Sequence, residues 1–581
     1  MDIDSTEVAI DRITASFRLR GVQSLVFLFI FILVLVFDYR PLQEPTSNDG
    51  AIYPLLARVA VGETSFPGIE LEQGKGIWHP MLYQMVLIGL AKTIGSDLIY
   101  ARIFGFSCGL LNACLLIWLV LLVVPDGPSR TWTVILAIAI YVTNPWGRLG
   151  MLHPDIDTTI MPPLLLAATG SAVSACRHIS MRGVLYMVLL QAAALWAKLT
   201  TPILLPFSLG LRFILEKREI TILWIPVGVG LGGGVVFLTS WWVYCAVMGY
   251  PAAALVRIID VFLEKVRDTE NLLQFSRRLF GMIYWFNPAF LLAAGLGSWL
   301  LFRKGCRSRL PADLVMPGFL GWSIFLLYIF LGGITFTIPK YQYSAVPFLT
   351  LVIAVAIGRD VHLHARNYHM PAVLSLVCTA YYYWFGDHLY RFFYGSRVYL
   401  WKNVMAAQVP VGYVSVIITD FVLVMIPILA VVSLALLGKP GERLSYLFRL
   451  SVAVMFAYNI GLGAIQAQAT YTTTFNYGMQ DAEAVLDRIN DNATVLIYEA
   501  AILGPWNTKT IHFTRLNHRS RQELIHSLEH TDFDYLVVGL AINTLGQLLQ
   551  LQQDPELKRI LKEEFVEERI GDFILYRKRE Q

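Results

Sequence analysis

Residues 103–124 read IFGFSCGLLNACLLIWLVLLVV. Neither an acid nor a base interrupts the run, and a helix of that length rises by roughly 30 Å, the thickness of a bilayer's hydrocarbon layer. Working outward from it, comparable apolar runs lie near 21–37, 131–146, 157–175, 183–197, 202–215, 220–245, 278–302, 313–332, 341–357, 371–386, 411–437 and 450–466. Sliding-window hydropathy thus gives about thirteen candidate membrane helices. Composition agrees: of 581 residues 56% are apolar and only 15% charged, against roughly a quarter charged in a soluble domain. This excludes a soluble enzyme. The six cysteines fall mostly inside apolar runs without paired spacing, which excludes a disulfide scaffold. A net charge of +4 is too small to nominate nucleic acid as a partner.

The run 21–37 is not followed by a small-residue cleavage site, so it reads as a retained anchor and not as a signal peptide. Arg12, Arg18 and Arg20 precede it and place the N-terminus inside. The inner loops then carry Arg130, Arg177 with Arg182, Lys217 with Arg218, the cluster Arg303 to Arg309, Arg359 with Arg366, and Lys439 with Arg443 and Arg449. His79 to Gly95, marginal in length and containing Lys92, reads as a helix along the outer interface. Counting it as a span would put the Arg303 to Arg309 cluster outside, against the positive-inside bias.

The expected organisation is a cytoplasmic segment 1–20, an all-α polytopic membrane domain 21–466 whose first outer loop spans 38–101, and an outer domain 467–581. That last part is polar, with β-type runs at 494–498 and 535–538 and helical spacing at 520–531 and 554–564. It reads as a small extracytoplasmic α/β domain.

Chemistry-bearing residues gather on the outer face. The first outer loop holds Asp49-Gly50-Ala51-Ile52-Tyr53, then His79-Pro80-Met81-Leu82-Tyr83. A second, short outer loop holds His153-Pro154-Asp155-Ile156-Asp157. Taken singly, Asp155 or Asp157 is explained as a helix cap and Asp49 as a solvated loop acid. Lys198, in Trp196-Ala197-Lys198-Leu199-Thr200-Thr201-Pro202, and Lys340, in Pro339-Lys340-Tyr341-Gln342-Tyr343-Ser344, would each be explained by snorkelling to the interface. Two acidic loops and two lysines converging on one membrane face point instead to a site that holds an anion beside a base.

These stretches resemble the GT-C superfamily of polytopic glycosyltransferases that use lipid-linked sugars, and within it the bacterial lipid A aminoarabinose transferase and protein O-mannosyltransferase branch. Asp49 to Tyr53 is similar to that branch's Asp-x-Ala-x-Tyr element after the first span, and His79-Pro80 with Leu82-Tyr83 to its His-Pro-Pro-Leu-Tyr helix, with Arg102 following. Asp155 or Asp157 is similar to its acid near a later span, and Lys340-Tyr341 with Pro347 to its Arg-Tyr-x-x-Pro-x-x-Pro element. The match covers roughly residues 20 to 360. Gly50 stands where many relatives carry a second acid, Met81 replaces the second proline and Ser344 another proline.

The resemblance implies transfer of a sugar from a polyprenyl-phosphate donor to an acceptor hydroxyl on an envelope lipid, glycan or protein, among membrane lipids at the extracytoplasmic face of a bacterial inner membrane. A base for the incoming hydroxyl and cations for the departing phosphate are then required. Asp49 is the candidate base, with Asp155 and Asp157 as further catalytic acids. His79, Lys198, Lys340, Arg102 and Tyr341 are candidates for the donor phosphate, and Tyr53, Tyr83 and His153 for substrate. A divalent cation, its identity left open, would draw on Asp49, Asp155 and His79. No nucleotide cofactor is expected, since there is no Walker loop and Gly232-Gly233-Gly234 lies inside a span, where helix packing explains it. Tyr381 to Trp384 reads as an interfacial aromatic belt. The rival class is a polytopic transporter or lipid flippase, which tends to place charges near the bilayer midplane and to repeat its halves; here the ionisable residues sit mostly at one face.

Overall fold

The computed structural model describes residues 48–63, 71–73, 77, 79–145, 147, 155–177, 180–216, 220–267, 287–302, 309–331, 339–364, 368–390, 411–438, 442–468, 479–498, 511–515, 525–526, 528–529, 532–539, 554–571 and 573–579. The expected first span, 21–37, lies outside the described residues. In chain order the helices are α1 (Asn48–Ala60), α2 (Leu82–Thr93), α3 (Leu98–Val123), α4 (Pro128–Thr143), α5 (Met161–Arg177), α6 (Met181–Ala197), α7 (Leu204–Leu215), α8 (Trp224–Met248) and α9 (Ala254–Arg267). They continue with α10 (Pro288–Phe302), α11 (Arg309–Leu331), α12 (Val346–His364), α13 (His369–Trp384), α14 (Gly386–Tyr390), α15 (Val411–Leu437), α16 (Arg443–Gln468) and α17 (Met479–Arg488).

Every expected span from 103 onward overlaps one of these helices; 278–286 of the span 278–302 lies outside the described residues. Among the described residues five segments are long and apolar enough to cross a membrane: Leu98–Val123, Trp224–Met248, Tyr341–Val361, Ile418–Leu437 and Arg443–Gly463. The chain is a multi-pass membrane protein. Helix α2 has 12 residues and a rise of only ~18 Å, so by length alone neither it nor the equally short α7 crosses a ~30 Å hydrocarbon layer. Helix α9 was not expected from hydropathy, because five charged residues dilute its apolar ones.

Burial sorts the helices into inner and outer members. The segment Tyr341–Val361 is 83% buried and α8 only 22%, so α12 is central and α8 faces the surroundings. Helix α12 packs on α4, α10 and α11, α13 on α16, and α8 on α6. Small residues set two of these distances. A Cβ on Gly358 of α12 would lie 2.2 Å from Thr133 Oγ1 and 3.1 Å from the Ser129 carbonyl of α4. One on Gly233 would lie 2.5 Å from Gln191 Cγ of α6, so the glycine run in α8 serves helix packing.

The two ends of the bundle differ in charge. At one end Arg177 and Arg212 both bind the buried Asp313, at 2.7 and 2.6 Å, and Arg177 also donates to the Leu122 carbonyl. Arg449 forks onto Asp360, which also accepts from the Tyr368 hydroxyl. Arg177 and Arg449 are among the basic residues from which the sequence places the inner loops; Arg212 lies inside α7. Asp155 and Asp157 lie at the opposite end of α5 from Arg177.

The C-terminal region forms a five-stranded sheet in the order β2-β1-β3-β5-β4, from β1 (Thr494–Tyr498), β2 (His512–Arg515), β3 (Tyr535–Gly539), β4 (Phe565–Ile570) and β5 (Phe573–Lys578). Strands β2, β1 and β3 are parallel, and β5 and β4 continue antiparallel. Helix α18 (Pro555–Glu564), capped by Asp554 accepting from Glu556 N and Leu557 N, covers one face through Leu557, Ile560 and Leu561. The other face supplies Val495, Ile497, Val537, Phe573 and Leu575 to a cluster shared with Leu55, Leu56, Leu71, Ile77 and Met81 of the first loop and with Leu195, Phe237 and Trp241 of α6 and α8. Met81 thus fills an apolar cluster where the resemblance has a proline.

The aromatic belt expected at 381–384 is divided. Tyr383 and Trp384 are exposed, but Tyr381 and Tyr382 donate to the Leu423 and Val424 carbonyls of α15, and Tyr382 packs edge-on against Tyr458. Successive helical residues point 100° apart, so only part of the run can face outward.

Replacing Gly358 by valine is expected to destabilise the folded protein by about 1–3 kcal/mol through overpacking. Gly234→Ala, whose Cβ would meet nothing within 4 Å, should not. Thermal unfolding in detergent, compared between the two variants, checks this.

Candidate active site

The site grows from three chain breaks that meet at one end of the bundle. The first is the turn before α5. Asp155 Oδ1 accepts from Asp157 N at 3.0 Å and its carbonyl accepts from Thr159 N at 2.9 Å. Asp155 therefore does what short acids do at turns, satisfying backbone donors of the turn that enters the helix. Asp157 is left to face inward.

The second break is the exit from α6. Lys198 follows the helix with an extended backbone (φ −159, ψ 146), and the chain re-enters a short 3-10 turn at Thr201–Ile203, with Pro202 in it. This turns the lysine inward. Its Nζ donates to both Asp157 oxygens at 2.7 Å, and the residue is only 4% exposed. Burial by itself lowers a lysine's pKa, but the carboxylate of Asp157 outweighs it and holds Lys198 above its ordinary range. While Asp157 is ionised, the stability that the lysine's raised pKa contributes is fully present below its ordinary range and is lost as pH rises through the raised value.

The third break is the 3-10 segment Pro339–Ala345 ahead of α12. Ser344 Oγ donates to the Asp157 carbonyl at 3.2 Å, so the serine that departs from the resemblance ties this segment to the acidic turn. Tyr343 donates to the Gly147 carbonyl at 2.9 Å and meets Tyr141 through its hydroxyl at 3.0 Å. Tyr341 stacks on Tyr328 of α11, with centroids 5.2 Å apart. Lys198 Nζ lies 4.2 Å from the Tyr341 centroid and 4.8 Å from that of Tyr328, within the range in which an aromatic face attracts a cation. The Tyr328 hydroxyl is fixed in turn by Thr200 and Thr201, at 2.7 and 2.6 Å.

The first-loop helices reach the same turn. Tyr83 of α2 is fully buried, and its hydroxyl lies beside Thr159 and Asp155. Tyr53 of α1 packs edge-on against its ring at 5.3 Å, and Phe104 of α3 stacks at 6.4 Å. Asp49 lies in α1, about one helical turn before Tyr53. Arg102, near the start of α3, is buried, and His79 is half-buried just ahead of α2. The adjacent Gln84 is fully buried, and neither atom of its amide meets a hydrogen-bonding partner among the described residues.

Of the expected site residues, Asp157, Lys198 and Tyr341 are in direct contact, Asp155 shares its turn with Asp157, and Tyr53 packs on Tyr83. Lys340 is the residue before Tyr341, on the same 3-10 segment. The side chains of Asp49 and Lys340, and His153 altogether, lie outside the described residues. No group of three or more His, Cys, Asp or Glu with metal-holding geometry occurs among the described residues. Sequence reasoning missed Tyr328, Thr200, Thr201 and Gln84. The signal for Tyr328 is a hydroxyl in the apolar second half of its span.

No protein-family profile matches the sequence and no curated protein is similar to it. Solved structures do share the fold. ArnT from Cupriavidus metallidurans bound to undecaprenyl phosphate superposes with a TM-score of 0.55 at 13% identity, covering 95% of this chain and 98% of that one. ArnT from Cupriavidus metallidurans in the apo state gives 0.54 at 14% identity, covering 96% and 98%. The chain therefore has an ArnT-like fold, a polytopic helical domain with a small sheet domain, over nearly its whole length.

Replacing one member of the Lys198–Asp157 pair strands the other without its counter-charge. Asp157→Asn and Lys198→Met should each cost about 3–5 kcal/mol. The double variant Asp157→Leu/Lys198→Met should recover a large part of that loss. A double-mutant cycle from unfolding curves in detergent checks the coupling.

Proposed function

We propose that this protein is an integral membrane glycosyltransferase of the GT-C type that moves a sugar from a polyprenyl phosphate to an acceptor hydroxyl. The site would act at the extracytoplasmic face of a bacterial inner membrane. The observation that carries this reading is the convergence of the first-loop helices, the acidic turn before α5 and the 339–345 segment at one end of the bundle, opposite the basic end. The shared fold with a protein solved bound to undecaprenyl phosphate supports the donor class.

In this reading Asp49 accepts the proton of the acceptor hydroxyl. The acceptor oxygen attacks the anomeric carbon, the bond from that carbon to the phosphate oxygen breaks, and its electron pair leaves with the polyprenyl phosphate. A single in-line displacement inverts the anomeric centre. Lys198 reaches a phosphate only by letting go of Asp157, so its first task is to hold the acidic turn and the Tyr341 ring in place. Lys340, His79 and Arg102 are then the cations for the departing phosphate, whose charge they meet at a poorly hydrated boundary where such pairs are strong. Tyr53, Tyr83 and His153 are the groups for the sugar or acceptor. Asp155 has its Oδ1 committed to the turn, so a divalent cation would take its other oxygen with Asp49 and His79. Loss of transfer on chelation, restored by one added metal, tests that ligand set.

Membranes containing the Asp49→Asn variant, supplied with a polyprenyl-phosphate sugar, should lose transfer by about 100-fold or more while expression and unfolding temperature stay at the parent's level. Unchanged transfer with a well-folded variant overturns the assignment of Asp49. Absence of transfer by the parent chain from any such donor overturns the reaction class.

A further inference from the structure

Helix α9 follows the spanning helix α8 through a tight reversal. Gly249 closes α8 in the left-handed region (φ +71), where only glycine is unstrained, and Tyr250 N returns to the Cys245 carbonyl at 2.9 Å. The indole of Trp241 then donates to the Ala252 carbonyl at 3.2 Å. Trp241 lies seven residues before the last residue of α8, a rise of ~10 Å. The chain has thus folded back along α8, and α9 begins beside its last two turns and not beyond them. Ala254 and Leu255 are buried in one cluster with Trp241 and Cys245, and Ile258 packs against it.

At that depth α8 shows apolar side chains to its surroundings: Leu238, Trp242, Val243 and Val247 are all exposed. Helix α9 carries three stripes. Ala254, Leu255 and Ile258 face the protein. Arg257 and Asp260 are exposed, and the sequence register continues this polar stripe to Glu264. Between the two, Val256, Ile259 and Leu263 are apolar and 57%, 40% and 39% exposed. A water-facing helix packed on a protein has no use for the third stripe. A helix at the boundary of a bilayer requires it.

We propose that α9 is an interfacial helix that sinks Val256, Ile259 and Leu263 into the outer leaflet at the boundary of headgroups and acyl chains, with Arg257 and Asp260 turned to water. The occupant is lipid because the stripe is continuous with the lipid-facing flank of α8. The placement also sets a height. Trp196, 5.5 Å from Trp241 and donating to Ser240 Oγ, sits two residues before Lys198. The lysine and its partner Asp157 are thereby held at the level of the headgroups.

The test is a nitroxide scan of single cysteines, Val256→Cys, Arg257→Cys, Ile259→Cys, Asp260→Cys and Leu263→Cys, in a chain whose native cysteines are replaced by serine. The protein is reconstituted in phosphatidylethanolamine and phosphatidylglycerol vesicles. Positions 256, 259 and 263 should be several-fold more accessible to oxygen than to a water-soluble nickel chelate, and 257 and 260 the reverse. Equal access of nickel to all five places the helix in water and overturns the proposal. Protection of 259 and 263 from both reagents assigns the stripe to a protein partner or a second copy and overturns it too. Should the cysteine-free chain fail to fold, a photoreactive phenylalanine derivative at Ile259 in the otherwise unaltered chain gives the same reading. Crosslinks to phospholipid support the proposal, and crosslinks confined to protein refute it.

Discussion

The pair Lys198–Asp157 is the interaction on which the candidate site depends. It joins the exit of α6 to the entrance of α5, and through Ser344 and the Tyr341 ring it also fixes the segment that leads into α12. Removing two charges from water costs several kcal/mol per ion, and the pair offsets this only with good geometry and further polar contacts. Both are present: two short hydrogen bonds to the carboxylate and two aromatic faces around the ammonium. A hydrophobic pair of equal volume would pack as well but would not orient the turn that carries Asp155.

Polarity is distributed along the membrane axis accordingly. At the basic end, guanidinium groups are neutralised by Asp313 and Asp360 inside the bundle, which locks α5, α7 and α11 together and α12 to α16. At the other end, acids, lysines and tyrosine hydroxyls occupy the places where helices break. Helix breaks free backbone donors and acceptors, and irregular backbone at membrane depth is tolerated only where protein or a polar cavity receives those groups. A polar site at that end and a closed ion-pair lattice at the other follow from one constraint.

The C-terminal sheet bears on the same end. Its central strands are apolar on both faces, and one face joins the cluster of the first loop, so α1 has Tyr53 in the membrane core and Leu55 and Leu56 under the sheet. Strands β1 and β3 were legible as apolar runs. Strand β4 was not, because half of Phe565 to Ile570 is charged, as suits an exposed edge.

Hydropathy alone located the long apolar helices, because in lipid each spanning segment must satisfy its own backbone and be apolar over a fixed length. Basic residues likewise marked one end of the bundle, where Arg177 and Arg449 form ion pairs, and Asp49, Tyr53, Tyr83, Asp155, Asp157, Lys198 and Tyr341 stood out as polar groups near span ends. Only the tertiary structure decided how they pair. That Lys198 closes on Asp157, that Asp155 serves its own turn, and that Tyr328 and Thr200 complete the arrangement follow from which helix ends lie side by side. Contacts between residues 41 or 128 positions apart leave no trace in local pattern, since local pattern records what each segment does with its own backbone and solvent and not which neighbour it meets.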